Sequence, residues 1–210
     1  MSDFNLTGKV IAYLGTGSDA DRAIVIASAE AGADIALATI SRLPTHEFGM
    51  ASIANEVWVL GRDQIMTVID AADPADVAAF ADEVWDRFGR CDAVVINTGR
   101  MPAAPFEELS LAVFEADLRA SLSPAFLVAQ AFGRLMARSH GGRIVHCFSE
   151  PGEGDELDAG VLAARAGAQG LVAAARAAWG HDGVDSAAVT ITVGADAIAA
   201  KRVFGAITSR

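Results

Sequence analysis

Apolar residues follow two alternating rhythms along the chain. Mostly continuous apolar runs of four to six residues at 10–14, 35–39, 65–69, 93–96, 144–148 and 188–193 predict strands covered on both faces. The stretches between them place apolar residues three and four apart, which predicts amphipathic helices. The clearest helix spans 74–88: Asp73 is the expected N-cap, Pro74 takes the first helical position, and Val77, Phe80, Ala81, Val84, Trp85 and Phe88 form one stripe. Gly89 is the expected stop. Strands alternating with helices predict an α/β protein built on one doubly wound parallel sheet of about six strands. The 210 residues suit a single domain over 1–210, and 195–210 forms a tail long enough for one helix or strand.

Composition narrows the possible partners. The formal net charge of -11 and the pI near 4.7 argue against nucleic-acid and anionic-membrane surfaces, which need clustered Lys and Arg. Cys91 and Cys147 fall in apolar, strand-like surroundings and are expected as buried, reduced thiols. The start, MSDFNLTGK, is polar, and the first apolar run is too short for a signal or a membrane span, so a cytoplasmic protein is expected.

The element order is that of a Rossmann-type sheet, and specific residues carry a closer likeness. Leu6-Thr7-Gly8-Lys9-Val10, the segments Arg22-Ala23-Ile24 and Ala29–Leu37, Asp70, Ile96-Asn97-Thr98-Gly99 and Gly141–Val145 fall in the order seen in the short-chain dehydrogenase/reductase (SDR) family. The chain resembles that family over residues 6 to 194. The resemblance implies a nicotinamide-binding fold, with Gly15, Asp70 and Asn97 as remnants of the cofactor site and Ser149 in the place of a catalytic serine.

At the residues that do the family's chemistry the likeness fails. In the family's TGxxxGxG turn, Leu14 stands at the threonine, Gly15 at the first glycine, Asp19 at the second and Asp21 at the third. A helix N-terminus with unpaired N–H groups attracts an anion, and Asp19 or Asp21 can supply one from the protein itself. Counting back from Ala166-Gly167 places Arg165 at the family's lysine and Val161 at its proton-donating tyrosine; Ser121 stands at the asparagine. Valine cannot transfer a proton, and the chain's one tyrosine, Tyr13, lies in the first strand. Ser149 and Arg165 are therefore expected to be vestigial. Residues 194–210 are too few for the family's lid and seventh strand.

Other chemistries find less support. Arg165 and the altered turn also suit the SDR-like halohydrin dehalogenases, which still need the tyrosine. His146 and Ser149 point to opposite faces of one strand, which argues against a nucleophile pair. The acid-rich 150–158 segment lacks calcium-loop spacing, and no metal is expected. These observations predict a non-catalytic SDR-fold protein without cofactor. Its partner would be a second copy or a catalytic SDR subunit, met through the helices near 112–138 and 159–179, the second of which is dense in Gly and Ala. The alternative is an atypical NAD(P)-dependent oxidoreductase, in which Arg42 after the second strand would suit the 2′-phosphate of NADP.

Overall fold

The computed structural model describes residues 5–99, 105–150, 159–192 and 196–208. Six parallel strands, β1 (Val10–Gly15), β2 (Asp34–Thr39), β3 (Gln64–Thr67), β4 (Ala93–Asn97), β5 (Gly142–Glu150) and β6 (Val184–Thr192), form one sheet in the order β3-β2-β1-β4-β5-β6. The chain winds outward from β1 to β3 and then returns to lay β4 on the other side of β1. Ligands of such sheets bind where this reversal opens a crevice beyond the carboxyl ends of the strands. Here that is the space above β1 and β4.

Alternation along each strand divides the core into two layers. Ile11 and Tyr13 face α1 (Asp19–Glu30), α2 (Pro44–Val59) and α6 (Asp196–Thr208), packing with Ile24, Met50, Ile53 and Phe204. Val10, Ala12 and Leu14 face α3 (Pro74–Phe88) and α4 (Leu111–Ala137), packing with Phe80, Val84, Val128 and Phe132. The remaining helix, α5 (Ala159–Trp179), lies against α4 and β6.

The boundaries of α3 follow their local chemistry. Asp73 accepts the Ala75 N–H at 2.8 Å, and Gly89 ends the helix at φ 70°. A Cβ at Gly89 would meet nothing within 4 Å, so only left-handed strain opposes a side chain there. Gly89→Ala is expected to cost about 1 kcal/mol in a urea titration. A loss above twice that value would show a contact that open space cannot explain.

Several expected elements differ in extent, among them β5, which runs over Gly142–Glu150 rather than 144–148. The β3 ladder covers Gln64–Thr67 rather than 65–69, because the Ile69 N–H and carbonyl both bond the Thr39 hydroxyl, at 2.9 and 2.8 Å. β6 begins at Val184 rather than 188; the polar Asp185 and Ser186 that hid its start pair in register with Arg143 and Ile144 of β5. Cys91 precedes β4 instead of lying in a strand. It is buried as expected, its thiol donates to the Ala93 carbonyl at 3.1 Å, and burial raises its pKa to about 12. Cys147, in β5, is likewise buried and free. The tail forms a helix, α6, joined to β6 by residues 193–195 alone and seated on the sheet through Val203 and Phe204. The 151–158 loop and Val193 lie outside the described residues. No helix of the described chain is long and apolar enough to cross a membrane.

Candidate functional site

The crevice between β1 and β4 is floored by the turn from β1 into α1. Ser18 is the N-cap of α1, and its hydroxyl accepts the Asp21 N–H at 3.3 Å. Asp21 completes the reciprocal capping box by accepting the Ser18 N–H at 2.9 Å. Side chains of the first helical turn point back toward the N-terminus, which brings the Asp21 carboxylate into the turn rather than out to water. Asp21 is fully buried, whereas Asp19 is exposed. Of the two acids expected to fill the turn, Asp21 alone does so, as an N3 residue behind a serine cap.

Six donors converge on this carboxylate. Oδ1 accepts the Tyr13 hydroxyl at 2.7 Å and the Asn97 Nδ2 at 2.6 Å. Oδ2 accepts the Thr16 N–H at 3.0 Å and its hydroxyl at 2.9 Å, and the N–H and hydroxyl of Ser18, both at 2.9 Å. A carboxylate has about four lone-pair sites, so this one is saturated. Tyr13 is pushed well above its ordinary pKa, first by burial and then by the Asp21 charge, and serves as a fixed donor.

The glycines of the turn serve this arrangement. A Cβ on Gly15 would come within 2.9 Å of the Asp21 carboxyl carbon and 2.8 Å of the Tyr13 ring. Gly17 adopts φ 79°, and its Cβ would fall 2.5 Å from the Gly49 Cα, so α2 presses directly on the turn. Beside it, His46 of α2 shares a 2.9 Å hydrogen bond with the Ser41 hydroxyl, and burial lowers its pKa although the Asp21 charge opposes this.

The other expected site residues are also engaged within the protein. Asp70 accepts the Ala72 N–H at 3.0 Å, closing its own turn. Arg42 binds Asp76 at 2.6 Å, and Asp76 also accepts the Asp70 N–H at 2.7 Å. On α5, Arg165 donates to the Thr190 hydroxyl at 3.0 Å; Val161 lies four residues, about one turn, before it. Ser121 is a buried residue of α4. Ser149 lies in β5 opposite Ile191. The structure thus joins Gly15 and Asn97 through Asp21. Asp70 sits with Arg42 beside Asp76, and Arg165 is engaged with Thr190 of β6. Sequence reasoning passed over Thr16, Ser18 and Gly49 and set Tyr13 in the first strand away from any site; a tyrosine eight residues before an acid that faces the same turn was the available signal.

In folds of this kind a diphosphate is received at the first strand-to-helix turn, by its N–H groups and by the helix dipole. Here the Thr16 and Ser18 N–H groups already hold a carboxylate, and a diphosphate placed there would meet like charge. In this arrangement the turn does not fit a dinucleotide's diphosphate. Among the described residues no group of three or more His, Cys, Asp or Glu side chains could hold a metal.

An open parallel sheet of this strand order, flanked by helices, defines a Rossmann-like α/β protein, and comparison with known proteins makes the class specific. The profile of the short chain dehydrogenase family matches residues 9–201, and the chain belongs to that family. It is 36% identical over 196 residues to the D-threitol dehydrogenase of Mycolicibacterium smegmatis (strain ATCC 700084 / mc(2)155), covering 91% of this chain and 72% of that one. A solved structure of a gluconate 5-dehydrogenase from Burkholderia cenocepacia J2315, in complex with NADP and tartrate, is 27% identical with a TM-score of 0.77, covering 90% and 72%. A short-chain dehydrogenase/reductase structure from Burkholderia xenovorans superposes with a TM-score of 0.85 at 22% identity, over 96% of this chain and 90% of that one, a likeness of fold.

Membership of an oxidoreductase family is therefore established, as is the six-stranded Rossmann-like fold. The expectation of a cofactor-free, non-catalytic protein finds no support among these relatives. The named activities are dehydrogenases, one of them holding NADP, and they favour the NAD(P)-dependent alternative.

Proposed function

We propose that this chain is an SDR-family protein whose nucleotide turn is occupied by its own carboxylate, and that it acts as a structural or regulatory subunit rather than by the family's hydride transfer. The observation that carries this reading is the buried Asp21 carboxylate with its six donors. Alignment of Val161 with the family's tyrosine adds to it. The partner is a second copy or a catalytic SDR subunit, and the surface is the outer side of α4 and α5. Phe126 and Leu162 are 45% and 40% exposed there, and a cleft of about 180 Å³ runs between Phe126, Gln130, Leu171 and Trp179. Members of this family commonly assemble as oligomers.

A second reading is favoured by the relatives: an atypical NAD(P)-dependent oxidoreductase that relies on Ser149 or water for the proton and retains Gly15, Asp70 and Asn97 near its cofactor. The dehydrogenase names and the NADP of the Burkholderia cenocepacia structure weigh on this side. Titration of the purified chain with NADH and NADPH, followed by fluorescence and melting temperature, separates the two. The first reading expects no saturation up to millimolar nucleotide; micromolar saturation by either would establish the second. The first reading also expects that Val161→Tyr with Arg165→Lys gives no turnover while Asp21 remains, and steady-state assays with polyols and NAD(P)+ check this.

A further inference from the structure

The opposite end of the sheet, where the strands begin, holds an open cleft of about 990 Å³ between the starts of β1, β4 and β5 and the end of α6. Lys9, Arg90 and Arg143 line it, with His140 beside them, and Asp92 is the acid among them. The chain carries 27 acidic residues against 16 Lys and Arg, so this grouping runs against its average.

The charges there do not cancel. Asp92 accepts Lys9 Nζ at 3.0 Å, Arg90 Nη2 at 2.5 Å and Arg90 Nε at 2.8 Å, and it also accepts the Val10 N–H at 3.0 Å. Burial alone would raise the Asp92 carboxyl, but the bonds from Arg90, from the Val10 N–H and from Lys9 hold it below the usual carboxylate range. Asp185 likewise serves two cations, Arg143 and Arg176, the latter at 2.7 Å, together with the Ser186 N–H at 2.8 Å. Two carboxylates therefore divide themselves among four permanent cations, and each spends part of its capacity on a backbone N–H. The carbonyl ends of α4 and α6, which reach the cleft at His140–Gly142 and at Thr208, each return about half a unit of negative charge. A net positive charge of about one unit remains.

The cations are also held in place. The Arg143 side chain is only 15% exposed, and Arg90 is gripped by two bonds, so little side-chain entropy is left to lose on binding. Lys9 is 47% exposed, and its single bond to Asp92 leaves two of its three ammonium N–H groups for an incoming ligand. Fixed guanidinium groups in a concave, partly screened site suit planar or tetrahedral oxyanions.

We propose that this cleft binds a small doubly charged oxyanion, a phosphate either free or borne on a small organic molecule. The site is far from the β1–α1 turn and stands whether or not a nicotinamide nucleotide binds. The low overall pI conceals it, because an average over the chain does not report a local excess.

The test is a heteronuclear NMR titration of the full chain with sodium phosphate and with glycerol 3-phosphate, each against sodium chloride at matched ionic strength and against glycerol. The expected result is a saturable shift of the Gly141, Gly142 and Gly183 amides at millimolar phosphate, with no effect of glycerol. Tighter binding of glycerol 3-phosphate would assign the site to an organic phosphate, and equal binding to the inorganic ion. Lys9→Gln, at a half-exposed side chain, is expected to raise the half-saturation concentration about three-fold, and Arg90→Gln by at least as much. Shifts reproduced by chloride, shifts centred on Thr16 and Ser18, or an affinity unchanged in Lys9→Gln would overturn the proposal.

Discussion

Replacing Asp21 by glycine is expected to destabilise the fold by about 3 kcal/mol and to admit a nucleotide diphosphate. Both effects come from one carboxylate. Its removal leaves the buried Tyr13 hydroxyl and Asn97 amide without their acceptor, and breaking a buried charged network typically costs about 3–5 kcal/mol. For a chain of this size that corresponds to a melting temperature lower by roughly 10 °C. The same change removes a charge that would stand about 4 Å from a diphosphate, a repulsion of roughly 4 kcal/mol at an effective dielectric near 20. That is close to a thousandfold in affinity. ADP and NADPH titrations of the two proteins check the gain, and thermal melts check the loss. Asp21→Asn serves as the control: it keeps the bulk and loses the charge, so it should recover the electrostatic part of the gain, and any further gain in the glycine variant reports the space the side chain fills. If wild type and Asp21→Gly bind NADPH equally, the carboxylate is no obstacle and the proposed function fails.

His146→Leu is expected to flatten the acid limb of the stability curve. His146 sits in β5 between Ile96 and Ala188, is 1% exposed, and neither ring nitrogen has a hydrogen-bond partner. Burial lowers its pKa to about 4. Above about 6.5 the ring is neutral in both folded and unfolded chains and pH has no effect through it. As pH falls from 6.5 to 4 the unfolded chain takes up a proton that the folded chain refuses, so stability drops over that window and levels off below it. The drop attributable to this ring is about 3 kcal/mol. Urea midpoints at pH 7 and pH 4.5 should show the leucine variant at least as stable as wild type at the higher pH, and clearly more stable at the lower. Equal losses in both proteins would mean that the ring finds a proton acceptor on folding.

Much of the fold was legible because it rests on local patterns. Strands buried on both faces produce near-continuous apolar runs, and α3 declares both its ends through Asp73-Pro74 and Gly89. The strand limits were less legible where a polar side chain does a strand's work. Asp185 and Ser186 read as loop until Arg143 and Arg176 are brought alongside, and Thr39 ends β3 from a neighbouring strand. At the candidate site the sequence indicated that an aspartate would meet the helix N-terminus. It did not indicate which one, because Asp19 and Asp21 differ only in the direction of their side chains. The convergence of Tyr13, Thr16, Ser18 and Asn97 on one carboxylate also lay beyond reach, since Asn97 arrives from a strand 76 residues away. The placement of Val161 at the family's tyrosine rests on a residue count alone, and the relatives named above are dehydrogenases. Function is therefore the point at which sequence kinship and local geometry pull apart.

β6 runs along one border of the sheet for nine residues, and among the described residues no strand adjoins its outer side. Arg202 covers the Thr190 carbonyl at 2.8 Å, but Val189, Thr190 and Ile191 make a β-prone stretch without proline or lysine to deter pairing. Strands so placed act as templates for extended chain segments. In crowded or heated solution this margin is where fibrillar growth would nucleate, and a lysine introduced along it is the simplest way to keep concentrated samples clear.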